Sequence, residues 1–457
     1  DLILTGVLQS GVKLPSTREL GRILQVSRNT VIQAYHDLED DGFIYSLKGQ
    51  GAYVAQAEVK YSSELVLDWE ELFTNRAMLA TELDIEKKEL RWEKGMISFK
   101  SIAPDPDLFE VEELKKAFSQ RFAIEGEKLL NYGYARGYRD LITFLTEYMK
   151  NKGVITEGKE ILITNGFTEG LNLLLSALTS RGDQVVCENP THNTALKIMR
   201  LHGLEIIGVR LQDDGMSLSK LEEVLAYNKV KLGFIIPSYH NPTGLVMPPE
   251  KRLELLKIFA DFQTPIIEDG FNEELRYSGS HVAPLLALAG KGNNVVYIGS
   301  FSKILFPGIR IGWVMGDSKL ISSLESLKRS LNIHTTFLDQ AVFYEYLRDG
   351  GFERYLKKAR KVYKERHEKA VRLAEKYIPC LRIWGEGGLH IFIELDPKIN
   401  AREVLAACYQ RGGIFMPGDI FYTDGGGKNT FRLGISRAKE GEMKEGIKVI
   451  GAVVREL

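Results

Sequence analysis

The chain has 457 residues, of which 44% are hydrophobic and 26% are charged. This composition excludes a disordered or collagen-like protein, and no apolar run reaches the ~18–20 residues that a membrane helix needs. Three widely separated cysteines exclude a disulfide scaffold and a cysteine-rich zinc module, so we expect no metal site and a cytoplasmic location. The balance of 60 basic and 61 acidic residues argues against nucleic-acid binding, unless the charges are segregated along the chain.

Residues 1–56 combine two short helical patterns with two strand-like runs, which predicts a small N-terminal domain. A capping box begins at Ser16 and predicts the start of one helix, while Ser27 can cap a second helix that Gly42 would terminate. Only a short turn separates the two, so the pair is typical of a helix-turn-helix. Each helix is expected to have one apolar face at helical spacing, formed in the first helix by Leu20, Ile23 and Leu24 and in the second by Val31, Ala34, Tyr35 and Leu38.

The first turn of the second helix carries polar and cationic side chains, and in this motif that turn enters the major groove. A hairpin with a cationic, glycine-rich tip follows, as expected of a wing that contacts the DNA backbone. The acidic residues lie at the far end of the second helix, over 37–41, so the cations are locally unopposed. The residues alone leave a small helical interaction domain as the alternative. The candidate DNA-binding residues are Arg18, Arg28, Asn29, Thr30, Lys48 and Gln50.

The amino-acid sequence of this region also resembles that of a known protein family. Segments 14–20, 26–31 and 42–44 closely resemble the winged helix-turn-helix of GntR-type bacterial regulators, over nearly all of residues 1–55. The resemblance implies that double-stranded operator DNA is a partner, bound by a dimer on two half-sites. It also implies a truncated N-terminus, with most of the first helix of that domain preceding Asp1.

Residues 57–95 are charged and amphipathic, and they are predicted to be a linker with helical parts. From about residue 96, short β-branched runs alternate with helical patterns, which is typical of a mainly parallel sheet covered by helices. We expect a large domain over 96–330 and a smaller α/β domain over 331–457, which begins with one long helix at 336–374. The predicted strands of the large domain are 161–164, 184–187, 234–236, 265–267 and 295–298.

Polar side chains follow the ends of these strands, where ligands bind in open α/β sheets. Lys303 lies just beyond the last strand and Arg310 follows it, Asp269 ends the strand before, and Asn241 follows the one before that. A lysine that forms a Schiff base needs a lowered pKa, a phosphate needs arginine and hydroxyl donors, and a pyridinium nitrogen needs a carboxylate. Each residue alone has an ordinary alternative as a solvated, capping or turn residue. Together they predict a pyridoxal phosphate site.

With the glycine-rich turn at 165–170, these segments resemble the fold-type I, class I and II aminotransferases over about residues 96–457. The resemblance implies that Lys303 is the catalytic lysine and binds pyridoxal 5′-phosphate. It further implies that Asp269 pairs with the pyridinium nitrogen and Asn241 with the phenolic oxygen. The other residues that it assigns to the cofactor are Ser300, Ser302, Arg310, Phe167, Thr168 and, from the neighbouring subunit, Tyr132.

The same resemblance assigns the carboxylate of a substrate or effector to Arg432, which would bind it bidentately. Three positions depart from the family pattern. Phe271 stands where a tyrosine usually donates to the phenolic oxygen, His192 stands where an aromatic residue stacks on the pyridine ring, and Ile102 replaces a glycine near the carboxylate. For His192 the alternative is a polar residue at the rim. The missing hydroxyl is expected to weaken turnover more than cofactor binding.

A GntR-like domain joined to an aminotransferase-like domain resembles the MocR subfamily of bacterial regulators. The resemblance implies a domain-swapped, head-to-tail homodimer that is cytoplasmic and nucleoid-associated when bound to DNA. The expected function is transcriptional regulation that depends on pyridoxal phosphate, with an amino compound or the cofactor itself as the effector and at most weak transaminase activity. The alternative is an active aminotransferase of an amino acid with an accessory DNA-binding domain.

Overall fold

The computed structural model describes residues 1–56, 66–277 and 281–457. Contacts divide the chain into a smaller unit, Asp1–Phe73, and a larger unit, Thr74–Leu457. This division differs from the predicted linker of 57–95. Residues 57–65 of that linker lie outside the described residues, and from Thr74 onward the chain belongs to the larger unit. Across the described ranges, the structure contains no helix long and apolar enough to cross a membrane.

The smaller unit has the architecture of a winged helix-turn-helix. Its elements are α1 (Thr17–Leu24), α2 (Arg28–Asp40), β1 (Ile44–Leu47), β2 (Gly51–Val54) and α3 (Trp69–Leu72). The Ser16 Oγ accepts the Glu19 N–H at 3.2 Å, and the Ser27 Oγ accepts the Thr30 N–H at 3.1 Å, so both predicted helix starts are confirmed. Strands β1 and β2 pair as the predicted hairpin.

The apolar faces predicted for α1 and α2 are only partly buried. Val31 is buried, and Tyr35 and Leu38 are half-buried. Within the described residues, however, Ile23 and Leu24 remain 63% and 59% exposed, and Ala34 is exposed as well. Helical periodicity identifies an apolar face but not what covers it, so these three residues lie on the predicted helices without being buried. The buried apolar residues of this unit are Val31, Ile44, Ala52 and Val54.

The larger unit alternates strands and helices. Its helices in chain order are α4 (Asn75–Glu82), α5 (Ile85–Lys88), α6 (Val111–Glu125), α7 (Arg139–Asn151), α8 (Gly166–Leu178), α9 (Asn193–Leu201), α10 (Leu218–Tyr227), α11 (Pro249–Asp261), α12 (Leu285–Leu288), α13 (Ser318–Asn332), α14 (Phe337–Arg348), α15 (Gly351–Tyr377), α16 (Ala401–Gln410) and α17 (Glu440–Glu456). Its strands are β3 (Ile97–Ser98), β4 (Lys159–Thr164), β5 (Gln184–Asn189), β6 (Glu205–Gln212), β7 (Gly215–Met216), β8 (Val230–Ile235), β9 (Ile266–Asp269), β10 (Val295–Ser300), β11 (Gly312–Asp317), β12 (Arg382–Trp384), β13 (His390–Glu394), β14 (Gly413–Ile414), β15 (Met416–Pro417) and β16 (Thr430–Gly434).

The main sheet of the larger unit has the strand order β4-β11-β10-β9-β8-β5-β6-β7. Strands β10, β9, β8, β5 and β6 run parallel, and β11 is antiparallel to both of its neighbours. Buried β-branched and aromatic side chains cover these strands, as a sheet packed against helices requires. The five predicted strands all lie at β4, β5, β8, β9 and β10, with ends that differ by a few residues.

A smaller lobe is built on the antiparallel sheet β12-β13-β16-β15, beside which β14 pairs with β3. The large-lobe core extends through α14 and into the first half of α15, as far as Tyr363, whereas Ala370 and Ala374 of α15 belong to the core of the small lobe. Phe99 also packs in the small-lobe core. The lobes therefore meet within α15 and not at the predicted boundary after residue 330.

The single long helix predicted at 336–374 is wrong. The segment forms α14 and α15, which are separated at Asp349 and Gly350. Gly350 has a φ of +73°, in the left-handed region where a helix of L-residues cannot continue. The uninterrupted helical periodicity on both sides concealed this break.

Replacing Gly350 with alanine is expected to lower the free energy of unfolding by about 1 kcal/mol, because a Cβ is strained at this positive φ. Gly441→Ala is the matched control, since a Cβ at Gly441, in the first turn of α17, would meet nothing within 4 Å. Urea unfolding followed by circular dichroism measures both variants. Equal midpoints for the two would contradict the role given to Gly350.

Candidate functional site

The carboxyl ends of β8, β9 and β10 meet at one edge of the main sheet because the three strands are neighbours and parallel. An inner cavity of about 190 Å³ and an outer cavity of about 580 Å³ lie at this edge, and both are lined by Lys303 and His192. Asn241, Arg432 and Ile102 line the outer cavity. The predicted cofactor residues that line the inner cavity are Phe167, Thr168, His192, Asp269, Phe271, Ser300, Ser302, Lys303 and Arg310.

The surroundings of Lys303 favour a reactive, neutral amine. It lies in the turn that follows β10, which ends at Ser300. Burial and then the positive charges of Arg432 and Arg310 lower the pKa of its ammonium to about 8. A substantial fraction of this side chain is therefore neutral near physiological pH, which is the form that attacks an aldehyde.

One end of the inner cavity is suited to an anion. The Arg310 Nη1 donates to the Ser302 Oγ at 3.3 Å, and its Nη2 donates to the Asn165 carbonyl at 2.9 Å. This places the guanidinium beside the first turn of α8, whose backbone N–H groups and dipole also favour negative charge. Gly166 has a φ of +74°, and a Cβ on it would lie 3.0 Å from the Arg310 Nη2, so glycine is required at this approach.

A buried ion pair fixes the turn that leads into α8. The Glu169 carboxylate accepts the Asn165 N–H at 2.5 Å and the Lys328 ammonium at 2.9 Å. Lys328 is fully buried and also donates to the Thr335 hydroxyl at 2.7 Å. Because α13 supplies this lysine, the packing of α13 on the sheet holds the anion-binding turn in place.

Asp269 and His192 form the floor of the inner cavity. The distance from the His192 Nδ1 to the Asp269 Oδ2 is 3.8 Å, too long for a hydrogen bond. Burial raises the pKa of Asp269 and lowers that of His192. A buried carboxylate with no closer cationic partner among the described residues is matched by a ligand that brings a protonated ring nitrogen.

Asn241 and Arg432 form a pair above Lys303. The Arg432 Nη1 donates to the Asn241 Oδ1 at 2.8 Å, and its Nη2 donates to the Lys100 carbonyl at 3.3 Å. Among the described residues, the buried Asn241 Nδ2 and Arg432 Nε have no hydrogen-bond partner. These two donors are available to an oxygen on a cofactor and to a carboxylate. Burial lowers the pKa of Arg432.

The buried guanidinium of Arg252 holds the turn that carries Asn241. It donates to the Met247 and Pro237 carbonyls, both at 2.8 Å, and to the Ser238 hydroxyl at 2.9 Å. A cation bound to backbone oxygens on both sides of the turn leaves Asn241 little freedom. This rigidity keeps the unpartnered amide directed at the cavity.

One predicted site residue lies outside both cavities, and one segment outside the predicted site lines the outer cavity. Tyr132 is 79% exposed and lines neither cavity, so its predicted contact with a neighbouring subunit stays a prediction. Residues 83–86, 91 and 92, which were assigned to the linker, line the outer cavity. In that segment Asp84 caps α5 and lies 4.0 Å from the Lys197 ammonium of α9. The sequence signal in this segment is the helix-capping residue Asp84, but a helix cap does not by itself indicate a binding site.

The candidate DNA-binding residues of the smaller unit are all exposed. Arg28 and Asn29 lie in the first turn of α2, which contains no acidic residue. The Thr30 Oγ1 is bonded to the Ser27 Oγ at 2.8 Å and is part of the helix cap. At the other end of α2, the Glu39 carboxylate accepts the Ser46 N–H at 2.8 Å, which attaches the wing to the helix. Lys48 and Gln50 lie at the exposed tip of that wing.

Two protein families match the chain. The family of bacterial regulatory proteins of the gntR type matches residues 1–54, and the aminotransferase class I and II family matches residues 54–450. The chain belongs to the aminotransferase class I and II family. With its GntR helix-turn-helix, this aminotransferase-family protein has the MocR-like architecture.

The relatives of this aminotransferase-family protein include both regulators and enzymes. It is 29% identical to the uncharacterized HTH-type transcriptional regulator YisV of Bacillus subtilis, over 100% of this chain and 94% of that protein. It is 31% identical to aromatic-amino-acid aminotransferase 1 of Thermococcus litoralis, over 85% and 95% of the two chains. The structure of LysN, the α-aminoadipate aminotransferase of Thermus thermophilus, superposes with a TM-score of 0.79 at 29% identity, over 85% and 99%.

Pyridoxal 5′-phosphate is the cofactor implied by this family and by the LysN structure, which was solved with N-(5′-phosphopyridoxyl)-L-leucine. The residues of this aminotransferase fold fit the group. The unpartnered Asn241 Nδ2 is suited to its phenolic oxygen, the Asp269 carboxylate to its ring nitrogen and the Arg310 end of the cavity to its phosphate. Lys303, with a lowered pKa, is suited to its aldehyde.

Cofactor capture by the cofactor-free protein should depend on pH through Lys303. The neutral amine is present above the pKa, so the rate at which visible absorbance appears after adding pyridoxal phosphate should rise with pH, with a midpoint of about 8 and not near the ordinary 10.5. Arg432→Gln should move the midpoint upward by removing a nearby positive charge. Arg411→Gln, at an exposed ion pair with Glu456, is the control. A wild-type midpoint near 10.5 would refute the lowered pKa.

Proposed function

We propose that this protein is a transcriptional regulator that binds operator DNA through Asp1–Phe73 and senses an amino compound, or pyridoxal phosphate itself, through Thr74–Leu457. A single observation carries the proposal. The same chain combines two features. The second helix of its GntR-type domain begins with exposed cationic and polar side chains, and its larger unit has a lysine of lowered pKa at a cavity whose polar donors have no hydrogen-bond partner among the described residues. Enzymes need only the second feature, whereas a ligand-responsive regulator needs both.

DNA recognition in this proposal depends on the start of α2. Arg28 and Asn29 are free to contact base edges and phosphates, and Arg18, Lys48 and Gln50 add backbone contacts from α1 and the wing. The acidic residues Asp37 and Asp40 are engaged by Gln33 and His36 at the other end of the helix. We further propose a cytoplasmic homodimer, in which two such units bind two half-sites and Tyr132 contacts the partner's cofactor.

Arg28→Ala should reduce binding to the operator by a factor of about 5 to 150, since one bidentate base contact contributes about 1–3 kcal/mol. A suitable probe is a duplex selected from random sequences by the wild-type protein, and gel shifts at a fixed salt concentration give the affinity. The visible absorbance of the bound cofactor should not change. His36→Ala, an exposed side chain in the far half of α2, is the control. Unchanged gel shifts for Arg28→Ala would exclude this helix as the DNA reader.

Effector sensing is assigned to the cavity edge of the larger unit. Bound pyridoxal phosphate supplies an aldehyde and an electron-accepting ring. Lys303 would hold the aldehyde until an amino compound displaces it, which its lowered pKa facilitates. The Arg432 Nε would bind the carboxylate of that compound, beside Ile102. Since β16 of the small lobe carries Arg432, a bound carboxylate favours one arrangement of the lobes and shifts the population of the DNA-binding state.

The active aminotransferase remains the alternative function, favoured by enzymes among the relatives and by the cofactor residues that line the inner cavity. The two functions differ in turnover. Phe271 provides no hydroxyl at the cofactor, so proton-transfer steps should be slow. A regulator should therefore respond to an amino compound without efficient exchange with 2-oxo acids.

Amino acids should change the visible spectrum of the wild-type protein, and added 2-oxo acids should restore it at less than about 1 s⁻¹, the lower end of typical enzyme turnover. Stopped-flow absorbance with a panel of amino donors measures both steps. Lys303→Ala, which lacks the amine, should show no band of lysine-bound cofactor. Turnover at enzyme-like rates with several donors would establish the aminotransferase instead, and a persisting band in Lys303→Ala would refute the role of that lysine.

A further inference from the structure

Asn272 is a buried polar residue without a role in the site described so far. It follows Phe271, is only 2% exposed and lines the inner cavity with Lys303 and Asp269. Among the described residues, neither its Nδ2 nor its Oδ1 has a hydrogen-bond partner. Its φ of +55° lies in the left-handed region, which asparagine tolerates better than most residues.

An unpaired buried amide is costly, and buried polar groups in folded proteins normally have partners. The two unpaired atoms of Asn272 therefore require a partner that the described residues do not supply. The inner cavity is the space that this residue lines, so the partner is a ligand in that cavity. In this protein that ligand is pyridoxal phosphate, whose polar groups are the phosphate, the ring nitrogen and the phenolic oxygen.

Each of those groups already has one assigned residue, and the phenolic oxygen, assigned to Asn241, can accept a second hydrogen bond. The phosphate is suited to the Arg310 end of the cavity, where α8 begins, and the ring nitrogen is suited to Asp269. The Asn272 Nδ2 lies 3.7 Å from the position that a Cβ at Gly388 would occupy, so the amide faces the loop of the small lobe that leads into β13. Strand β13 pairs with β16, which brings Arg432 to Asn241. Asn272 follows β9 and Asn241 follows β8, and these strands are parallel neighbours, so both amides belong to the same edge of the sheet.

We propose that the Asn272 Nδ2 donates a hydrogen bond to the phenolic oxygen of the cofactor and replaces the hydroxyl that Phe271 lacks. The proposal rests on the cofactor site of the proposed function. Asn241 and Asn272 then form a pair of amide donors at the ends of the adjacent strands β8 and β9. An amide is a weaker acid than a phenol, so this pair holds the oxygen without offering a proton that could be transferred.

This hydrogen bond changes the pKa of the nitrogen that joins Lys303 to the cofactor, and that pKa can be measured. A donor at the phenolic oxygen withdraws electron density from it, and this lowers the pKa of the neighbouring nitrogen that joins Lys303 to the cofactor. Removing the donor must therefore raise that pKa. A hydrogen bond to a charged oxygen corresponds to a shift of about one pH unit.

The test is a pH titration of the visible absorbance of the purified, cofactor-loaded protein. Asn272→Gly removes the amide and is compatible with the positive φ, so the midpoint should rise by about one unit without backbone strain. Gln263→Gly is the matched control, since Gln263 has a φ of +52° and is exposed. Its midpoint should equal that of the wild type.

Asn272→Asp keeps the size of the side chain, places a negative charge beside the oxygen and should raise the midpoint further than Asn272→Gly. An unchanged midpoint in Asn272→Gly would overturn the proposal, even if Asn272→Asp shifted through its charge alone. A wild-type protein that binds no cofactor would overturn the cofactor site itself. The two failures are distinguished by the wild-type spectrum before any titration.

Discussion

The parallel register of β8, β9 and β10 is the constraint on which the site depends. Because Ile235 is opposite Glu268 and Ile298 is opposite Asp269, the residues that follow each strand must emerge at the same edge. Asn241, Asp269 and Lys303 are far apart in the chain, yet the parallel strands bring the segments that carry them to one edge of the sheet. The chemistry therefore follows from hydrogen bonding between backbones, and the side chains only complete it.

Electrostatics then determines what the edge can bind. Lys303 lies among arginines that lower its pKa, and without an anion these charges repel one another. A ligand with a phosphate at Arg310 and a carboxylate at Arg432 relieves that repulsion. The packing of the large lobe holds these cations together, through buried anchors such as Lys328 and Arg252. The protein thus holds a site that is complete only with its ligand.

Local signals in the sequence predicted much of this architecture. Caps at Ser16 and Ser27, and the polar residues after each buried strand, predicted the helix-turn-helix and the residues of the inner cavity, since these features depend on neighbours in the chain. Features that depend on distant contacts were not predicted. The position of residues 83–86, 91 and 92 at the outer cavity is set by tertiary packing. The break at Gly350 is different, because the Gly350-Gly351 pair is a local turn signal that the helical periodicity on both sides obscured. The unpaired amide of Asn272 is recognised only from the tertiary structure, through its burial and its lack of a hydrogen-bond partner among the described residues.

Helix α15 limits how the two lobes can move relative to each other. Its first half is embedded in one hydrophobic core and its second half in another, so its 27 residues form a rod of about 40 Å shared by both lobes. The lobes cannot separate without bending this rod or extracting one half of it from its core. Their relative movement is therefore confined to a stiff, small-angle flexure, with a restoring force in the backbone of a single helix.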